Sequence, residues 1–392
     1  MAGKSEALAT GAAKLDIVPL SRDRYREWDL FCAESDEAWF WHTSHWLEYT
    51  LNYRPELKPA SESFLCQQEG RVLAICPLIV ETQAAGMNAE FSYGGDCGPA
   101  PAFCNGLSQR ARKDLTRAVF QHLDSLAEEL RVQRASFRMS PLAPDFWKSA
   151  VPQPNPLTKL GFADISQASH VIDLCPDPQS LLRDMRKGHR ADITRAEKLL
   201  DAQVLDQQSI TQDAFERYRM LHHKAAGRVT RPLITFEMMH HWIQQGLAVL
   251  AVASLQGKDV GFALISVYKD GAYYSSSCED PEYKHLPIGH IMQWRVLQWL
   301  KEHGFRRYEI GLQIWGNQPH AMVSEKEMKI AFFKRGFGGA AVPFWRAEKF
   351  YSREYYLRVA SQRMRDYAES VAQPSQHQEA GRIEISNPEV SP

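Results

Sequence analysis

The sequence predicts an α+β chain built from two similar units in tandem, each a mostly antiparallel sheet flanked by helices. Three observations carry that reading. The order strand, strand, strand, helix, strand occurs twice along the chain. Tight glycine turns join the early strands of each copy, as antiparallel hairpins require. With 392 residues the chain is long enough for two domains of ordinary size.

In the first unit, Ser63–Gln67 reads as a strand closed by a turn at Gln68, Glu69 and Gly70. A second run, Val72–Val80, leads through a glycine-containing turn to a strand at Glu90–Tyr93. A helix over Ser108–Leu130 and a strand over Gln133–Met139 close the unit, and the segment GGDCGPAPAFCNG makes it the longer of the two. In the second unit, strands at Leu247–Ser254, Val260–Tyr268 and Ala272–Cys278 are joined by turns at Gln256-Gly257-Lys258 and Lys269-Asp270-Gly271. A helix over Ile288–His303 and a strand over Arg306–Ile310 follow.

Helices precede the second unit. Leu182, Met185, Ile193, Ala196 and Leu200 share one helical face, the other sides are basic, and Gly188 marks a break. Another helix runs around Phe215, Tyr218, Leu221 and Ala225. In the next, Thr235 is the expected N-cap, Ile234 and Met239 the hydrophobic staple, and Gly246 the stop. In AWFWHTSHW (Ala38–Trp46) the aromatics are expected to pack in the core, with Thr43 or Ser44 starting a helix. The expected division is a disordered lead-in over 1–14, units over 15–165 and 166–355, and a terminal helix with a disordered tail over 356–392. The lead-in lacks the apolar stretch of a signal peptide. The tail from Gln373 is polar, proline-containing and aperiodic.

Hydrophobic residues at 44% and charged residues at 24% are the values of a soluble globular protein. A net charge of −1 provides no global field for duplex nucleic acid or an anionic membrane. No apolar run approaches the roughly 18 residues of a membrane-spanning helix. The seven cysteines are scattered, with no C-x-x-C pair and no histidines at zinc-like spacing. That usage fits a reducing cytoplasm and argues against a metal site or a disulfide framework.

Two stretches carry chemistry. RRYEIG (Arg306–Gly311) is a buried strand ending in an acidic residue and a glycine. KIAFFKRGFGG (Lys329–Gly339) follows with paired aromatics, Lys334 beside Arg335, and a glycine cluster. The layout suits a site that holds a polar, anionic donor against an apolar wall. Its plain structural alternative is a closing strand with a basic edge and Gly336, Gly338 and Gly339 as turn residues.

Further motifs extend the pattern: MRKGHRADITRAEK (Met185–Lys198), AYYSSSCEDPEY (Ala272–Tyr283), LPIGHIMQWRVLQWLKEHGFRRYEIG (Leu286–Gly311) and, in the first half, FSYGGDCGP (Phe91–Pro99). In their order and spacing, over about residues 15–355, they resemble the FemAB-like, or BioF2-like, acyltransferase branch of the GNAT superfamily. The resemblance implies tandem GNAT-like domains, the first on the acceptor side and the second holding donor and catalytic site. It further implies N-acyl transfer from acyl-CoA to an amine on a sugar or cell-envelope polysaccharide precursor, small or lipid-linked. Such work is cytoplasmic and compatible with peripheral association at the inner face of a membrane. The chain departs from the family at the diphosphate loop, whose place is taken by Lys284-His285-Leu286-Pro287-Ile288-Gly289-His290. That departure keeps two alternatives open. One is an aminoacyl-tRNA-dependent peptidoglycan-type transferase, disfavoured because no long charged helical hairpin is present. The other is a non-catalytic binding module with a degenerate GNAT fold.

Amide formation needs a neutral amine, a place for the tetrahedral oxyanion and a proton for the leaving group. By the resemblance, Glu309 lies where such sheets splay and is the first candidate base, with Glu279 as the alternative. Lys334 would face the developing negative charge. Tyr273 and Tyr274 alternate on a strand, so one faces the site, and Tyr274 is the candidate proton donor. Lys284, Gly289 and His290 at a helix start, with Arg335, are the candidate donor-binding set. His290 is expected to titrate near neutral pH. Tyr93, Gly94 and Asp96 would line the acceptor cleft, while Arg186 and Arg190 would contact a phosphorylated or nucleotide-linked acceptor.

Overall fold

The computed structural model describes residues 14–82, 88–149 and 153–372. The expected tail lies outside these residues, as does the lead-in but for Lys14. The turn expected after Val80 falls partly outside them.

The second half is built on one seven-stranded sheet. Its order is Asp201–Leu205, Ala248–Leu255, Lys258–Tyr268, Gly271–Glu279, Arg307–Gln313, Gln167–Asp173, Ala340–Phe344. The hairpin at Gln256-Gly257 forms because both residues take left-handed backbone, with φ of 50° and 81°. Strands 248–255 and 258–268 are apolar almost throughout and buried on both faces. They need to be, because helices cover the sheet on each side. On one side lie Lys187–Ala196 and Ile288–Glu302, which share a core with Ile310, Ala263 and Ala251. On the other lie Gln212–Ala226 and Leu233–Gln244, with Trp39, Phe40 and Trp41 from the first half.

Those aromatics lock the halves together. Trp39 and Phe40 are fully buried, and the Trp39 indole donates to the Tyr268 carbonyl at 3.1 Å. Lys269 donates to the Ala38 carbonyl at 2.8 Å. Thr43 caps the helix Ser44–Tyr53, its hydroxyl accepting from the Trp46 amide, so this segment is both helix start and core.

In the first half, helix Gln109–Glu129 is capped by Ser108 and buries Ala111, Leu115, Val119, Leu123 and Ala127 along one stripe. It packs on strand Val132–Arg138, which pairs in parallel with Ala89–Phe91 and Gly98–Pro99. The other neighbour of 132–138 is Arg346–Phe350. This strand, expected in the second unit, therefore belongs to one of the first half's two sheets. The chain crosses between the halves twice, at Ile165–Ser166 and at Trp345, and the crossings are stitched together. Asn155 donates to the Arg346 carbonyl at 3.0 Å, and the Arg346 amide donates to Ser166 at 3.2 Å.

The returning strand carries a buried charge network. Glu348 and Glu90 are each 3% exposed. Arg134 bridges them at 3.4 and 2.7 Å, Arg363 on the terminal helix Arg353–Ala372 pairs with Glu348, and Tyr355 donates to Glu90. Removing one member of a buried ion cluster strands its partners. Glu348→Ala is expected to cost about 2 kcal/mol, since Arg134 retains Glu90, and to loosen the terminal helix. Urea unfolding and protease sensitivity of 353–372 check it.

Several expected elements change. KIAFFKR is the helix Glu325–Arg335, not a closing strand, because Ser324 and Glu327 form a reciprocal cap. Thr235 is inside the helix Leu233–Gln244 and not its cap. It is fully buried and its hydroxyl donates to the Pro232 carbonyl at 2.6 Å. The basic stretch forms two helices, Pro178–Asp184 and Lys187–Ala196, broken at Met185–Arg186, with Gly188 inside the second.

Candidate active site

Strands 271–279 and 307–313 run in parallel but pair only over Gly271–Tyr273 with Arg307–Glu309. Beyond that point each continues along its other neighbour and they separate from one another. Both are bulged next to the fork. Ser275 is the extra residue between Tyr274 and Ser276, and Ile310 the extra one between Glu309 and Gly311. A bulge adds local twist and bend, which drives the strands apart.

Glu309 sits at the fork, 3% exposed. Its Oε1 accepts from the Ser169 hydroxyl at 2.5 Å, across the sheet on 167–173. Burial pushes its carboxyl up to about 7, against the opposing pull of the Ser169 hydrogen bond and the charges of Arg138 and Lys334. Lys334 reaches the same fork from the end of helix 325–335. Burial brings its ammonium down to about 8, with Glu309 acting in the opposite sense. The pair thus consists of a carboxyl and an ammonium whose proton affinities have been drawn together.

Gly311 makes room for this arrangement. An ideal Cβ there would lie 2.7 Å from Lys334 Nζ and 3.9 Å from the Tyr273 hydroxyl, and φ is +105°. Gly311→Ala is therefore expected to displace Lys334 and cost about 1–3 kcal/mol of stability. Under our functional reading, transfer should fall by roughly tenfold or more. Steady-state kinetics alongside thermal unfolding separate the two effects.

Tyr273 and Tyr274 divide as alternation requires. Tyr273 packs edge-on to Trp41 of the first half, ring centroids 5.0 Å apart. Tyr274 lies under Lys334, whose Nζ is 5.6 Å from its ring centroid. Burial holds Tyr274 up at about 12, so it stays protonated.

The helix start at 288–290 forms a neighbouring cluster. Although Glu279 as a residue is exposed, its carboxyl turns in against the Gly289 amide. Desolvation pushes it up, and the Gly289 hydrogen bond opposes that shift. A Cβ on Gly289 would meet Glu279 Oε1 at 2.6 Å. The protein's own carboxyl thus occupies part of the expected phosphate position. His290 does not titrate near neutrality: burial and the adjacent His189 bring it down to about 4. It is neutral at pH 7 and offers no charge to a phosphate. Lys284 is exposed outside this cluster.

The other expected residues are spread. Arg186 donates to the Phe332 carbonyl at 3.0 Å and stacks 3.9 Å over that ring. Arg335 donates to the Ile314 carbonyl at 3.1 Å and lies over Trp315. Arg190 donates to the carbonyls of Arg183 and Met185, so it closes the end of helix 178–184 and faces no site. Tyr93 is buried against Leu47 and Ile79. Buried Glu81 accepts from the amides of Gly94 and Gly95 at 2.6 and 2.8 Å, so the glycine loop's donors are already used. Asp96 pairs with Arg346, and its charge raises Tyr273, which brings it to the junction. Ser169, Arg138, Trp41 and Glu81 were not among the expected site residues. A repeated-unit pattern gave no hint of them, because their partners come from distant segments.

Residues 183–321 match a family model described as an acetyltransferase (GNAT) domain. Among solved structures, that of FemX is similar with a TM-score of 0.60 and 12% identity, covering 88% of this chain and 100% of FemX. That of L-PGS from Bacillus licheniformis is similar with a TM-score of 0.56 and 14% identity, covering 88% of this chain and 97% of the other. At these identities the likeness is one of fold. No curated protein matches the chain.

Proposed function

We propose an N-acyltransferase, on the ground that residues 183–321 match a GNAT-type acetyltransferase domain within a fold like that of FemX. It takes an acyl group from acyl-CoA and passes it to an amine held at the junction of the halves. The acceptor class is an amino sugar or a related cell-envelope precursor. The observation that carries this is the buried Glu309 carboxyl and the half-buried Lys334 ammonium that share the fork between 271–279 and 307–313.

Glu309 accepts a proton from the acceptor ammonium, which frees the nitrogen lone pair. The amine attacks the thioester carbonyl, forming the C–N bond, and the resulting oxyanion lies beside the Lys334 ammonium. Collapse breaks the C–S bond, and the thiolate takes a proton from a tyrosine hydroxyl at the fork, which burial keeps protonated; the second proton of the attacking nitrogen restores that hydroxyl. The proton held by Glu309 returns to solvent.

A second reading, aminoacyl-tRNA as donor, is favoured by one surface. Phe332 and Trp315 are 57% and 63% exposed, and Arg186 and Arg335 lie over their rings. Exposed rings interleaved with guanidinium groups suit base stacking and phosphate contact. That surface would serve the adenine nucleotide of either donor.

Isothermal titration with acetyl-CoA and a longer acyl-CoA, followed by a transfer assay on amine acceptors, tests the proposal. Saturable one-to-one binding is expected. Its absence, together with tRNA binding that weakens steeply with salt, would overturn acyl-CoA as donor in favour of the second reading. Absence of both would leave a non-catalytic module. No helix among the described residues is long and apolar enough to cross a membrane.

A further inference from the structure

We infer that the acceptor carries an anionic group, a phosphate ester or a carboxylate, gripped by Arg138 and Arg346 at the junction. The inference rests on the transferase reading and names the substrate class of that site.

Arg138 ends strand 132–138 and sits directly opposite Arg346 on the returning strand. Side chains opposite one another on antiparallel strands share a face with Cβ atoms about 5 Å apart, where like charges repel. Arg346 is answered by Asp96 and by the Gln167 side chain. Arg138 has no carboxylate within ion-pair distance among the described residues. The Nε groups of both arginines are buried and without a hydrogen-bond partner. A buried donor left unmade is costly, and the terminal N–H groups of Arg138, which donate to nothing among the described residues, are where a ligand's acceptor oxygens would be held.

The location ties this pair to the reacting centre. The Arg138 guanidinium lies 5.2 Å from the Trp41 ring centroid, and Trp41 in turn packs edge-on to Tyr273 at the fork. The charge of Arg138 acts on both Tyr273 and Glu309. Of the two facing guanidiniums, Arg346 alone has a carboxylate within ion-pair distance among the described residues, Asp96, so the pair holds one more positive charge than negative. An anionic ligand balances it, and paired guanidiniums match phosphate or carboxylate geometry. Because the charge of Arg138 reaches Glu309, the acceptors to probe carry an anion and an amine on one small molecule. Arg190 on the basic helix, expected to contact such an acceptor, is instead spent on carbonyls.

The test is calorimetric binding without donor, on two matched pairs: glucosamine 6-phosphate against glucosamine, and D-alanine against D-alaninamide. Orthophosphate serves as competitor. We expect the anionic member of at least one pair to bind about tenfold or more tighter. The preference should disappear in Arg138→Gln while acetyl-CoA titrates as in the wild type. Preference in the sugar pair identifies phosphate, and in the alanine pair carboxylate. Equal binding within both pairs, no binding by any of these probes, or a preference that survives Arg138→Gln overturns the inference. If the Gln variant does not fold, Arg138→Lys keeps the charge without the fork and should weaken the preference several-fold. A protein that shows the Arg138-dependent preference but binds no acyl-CoA keeps this inference and loses the donor assignment.

Discussion

Replacing Glu309 by Gln is expected to lower transfer by about 10²–10³-fold while making the protein more stable at pH 8. The loss follows from the base role, for which positioned proton acceptors contribute roughly 10²–10⁴-fold. The gain follows from linkage. The carboxyl lies at about 7 in the folded protein against an ordinary 4.5. Between those values the native state keeps a proton that the unfolded chain has released. Stability from this group therefore falls as pH rises through that window, and the whole penalty is present above pH 7. Its size is at most about 3 kcal/mol, and Gln, neutral at every pH, does not incur it. Chemical unfolding of both proteins at pH 5 and pH 8 should show the gap widening with pH. A variant less stable at both values, or one that retains activity, would remove Glu309 from the role proposed.

Lys334→Ala should lower kcat by about 10²–10³-fold, the usual result of deleting one preorganised donor to an oxyanion. The pH profile adds a readout that lost packing would not move. With Glu309 at about 7 and Lys334 at about 8, kcat/KM should form a narrow bell whose acid limb belongs to the carboxyl and alkaline limb to the ammonium. Without Lys334 the alkaline limb should vanish. The acid limb should move upward, because Glu309 loses a cation that holds its carboxyl down. Lys334→Arg should not rescue, since the ammonium already fills the space that the missing Gly311 side chain leaves and a guanidinium is larger. An unchanged bell in Lys334→Ala would falsify the pairing.

How far the sequence reached depends on where each residue's partners lie. Helix 109–129 could be read because its cap and apolar stripe are local, and the hairpins of 248–279 because their turns demand left-handed backbone. Helix 325–335 looked strand-like because its apolar residues do not share one face. Ile330 and Phe332 point outward, and only Ala331 is buried. Strand 167–173 was passed over because a polar residue, Ser169, points inward to meet Glu309, which breaks the alternation that marks a strand. Glu309 and Lys334 were picked out as residues by their motif context. Arg138 was not, because its meaning comes from Arg346 and Trp41, which only the folded sheet places beside it.

The double crossing between the halves has a consequence for synthesis. Strand 132–138 waits for 346–350 before one of its edges is paired. On the ribosome, then, the amino-terminal sheet cannot finish when its own helix emerges. Its open edge must stay shielded until nearly the whole chain has left the exit tunnel. The halves read as a tandem array, yet they mature as one body, and the last strand to be made completes a sheet begun in the first half.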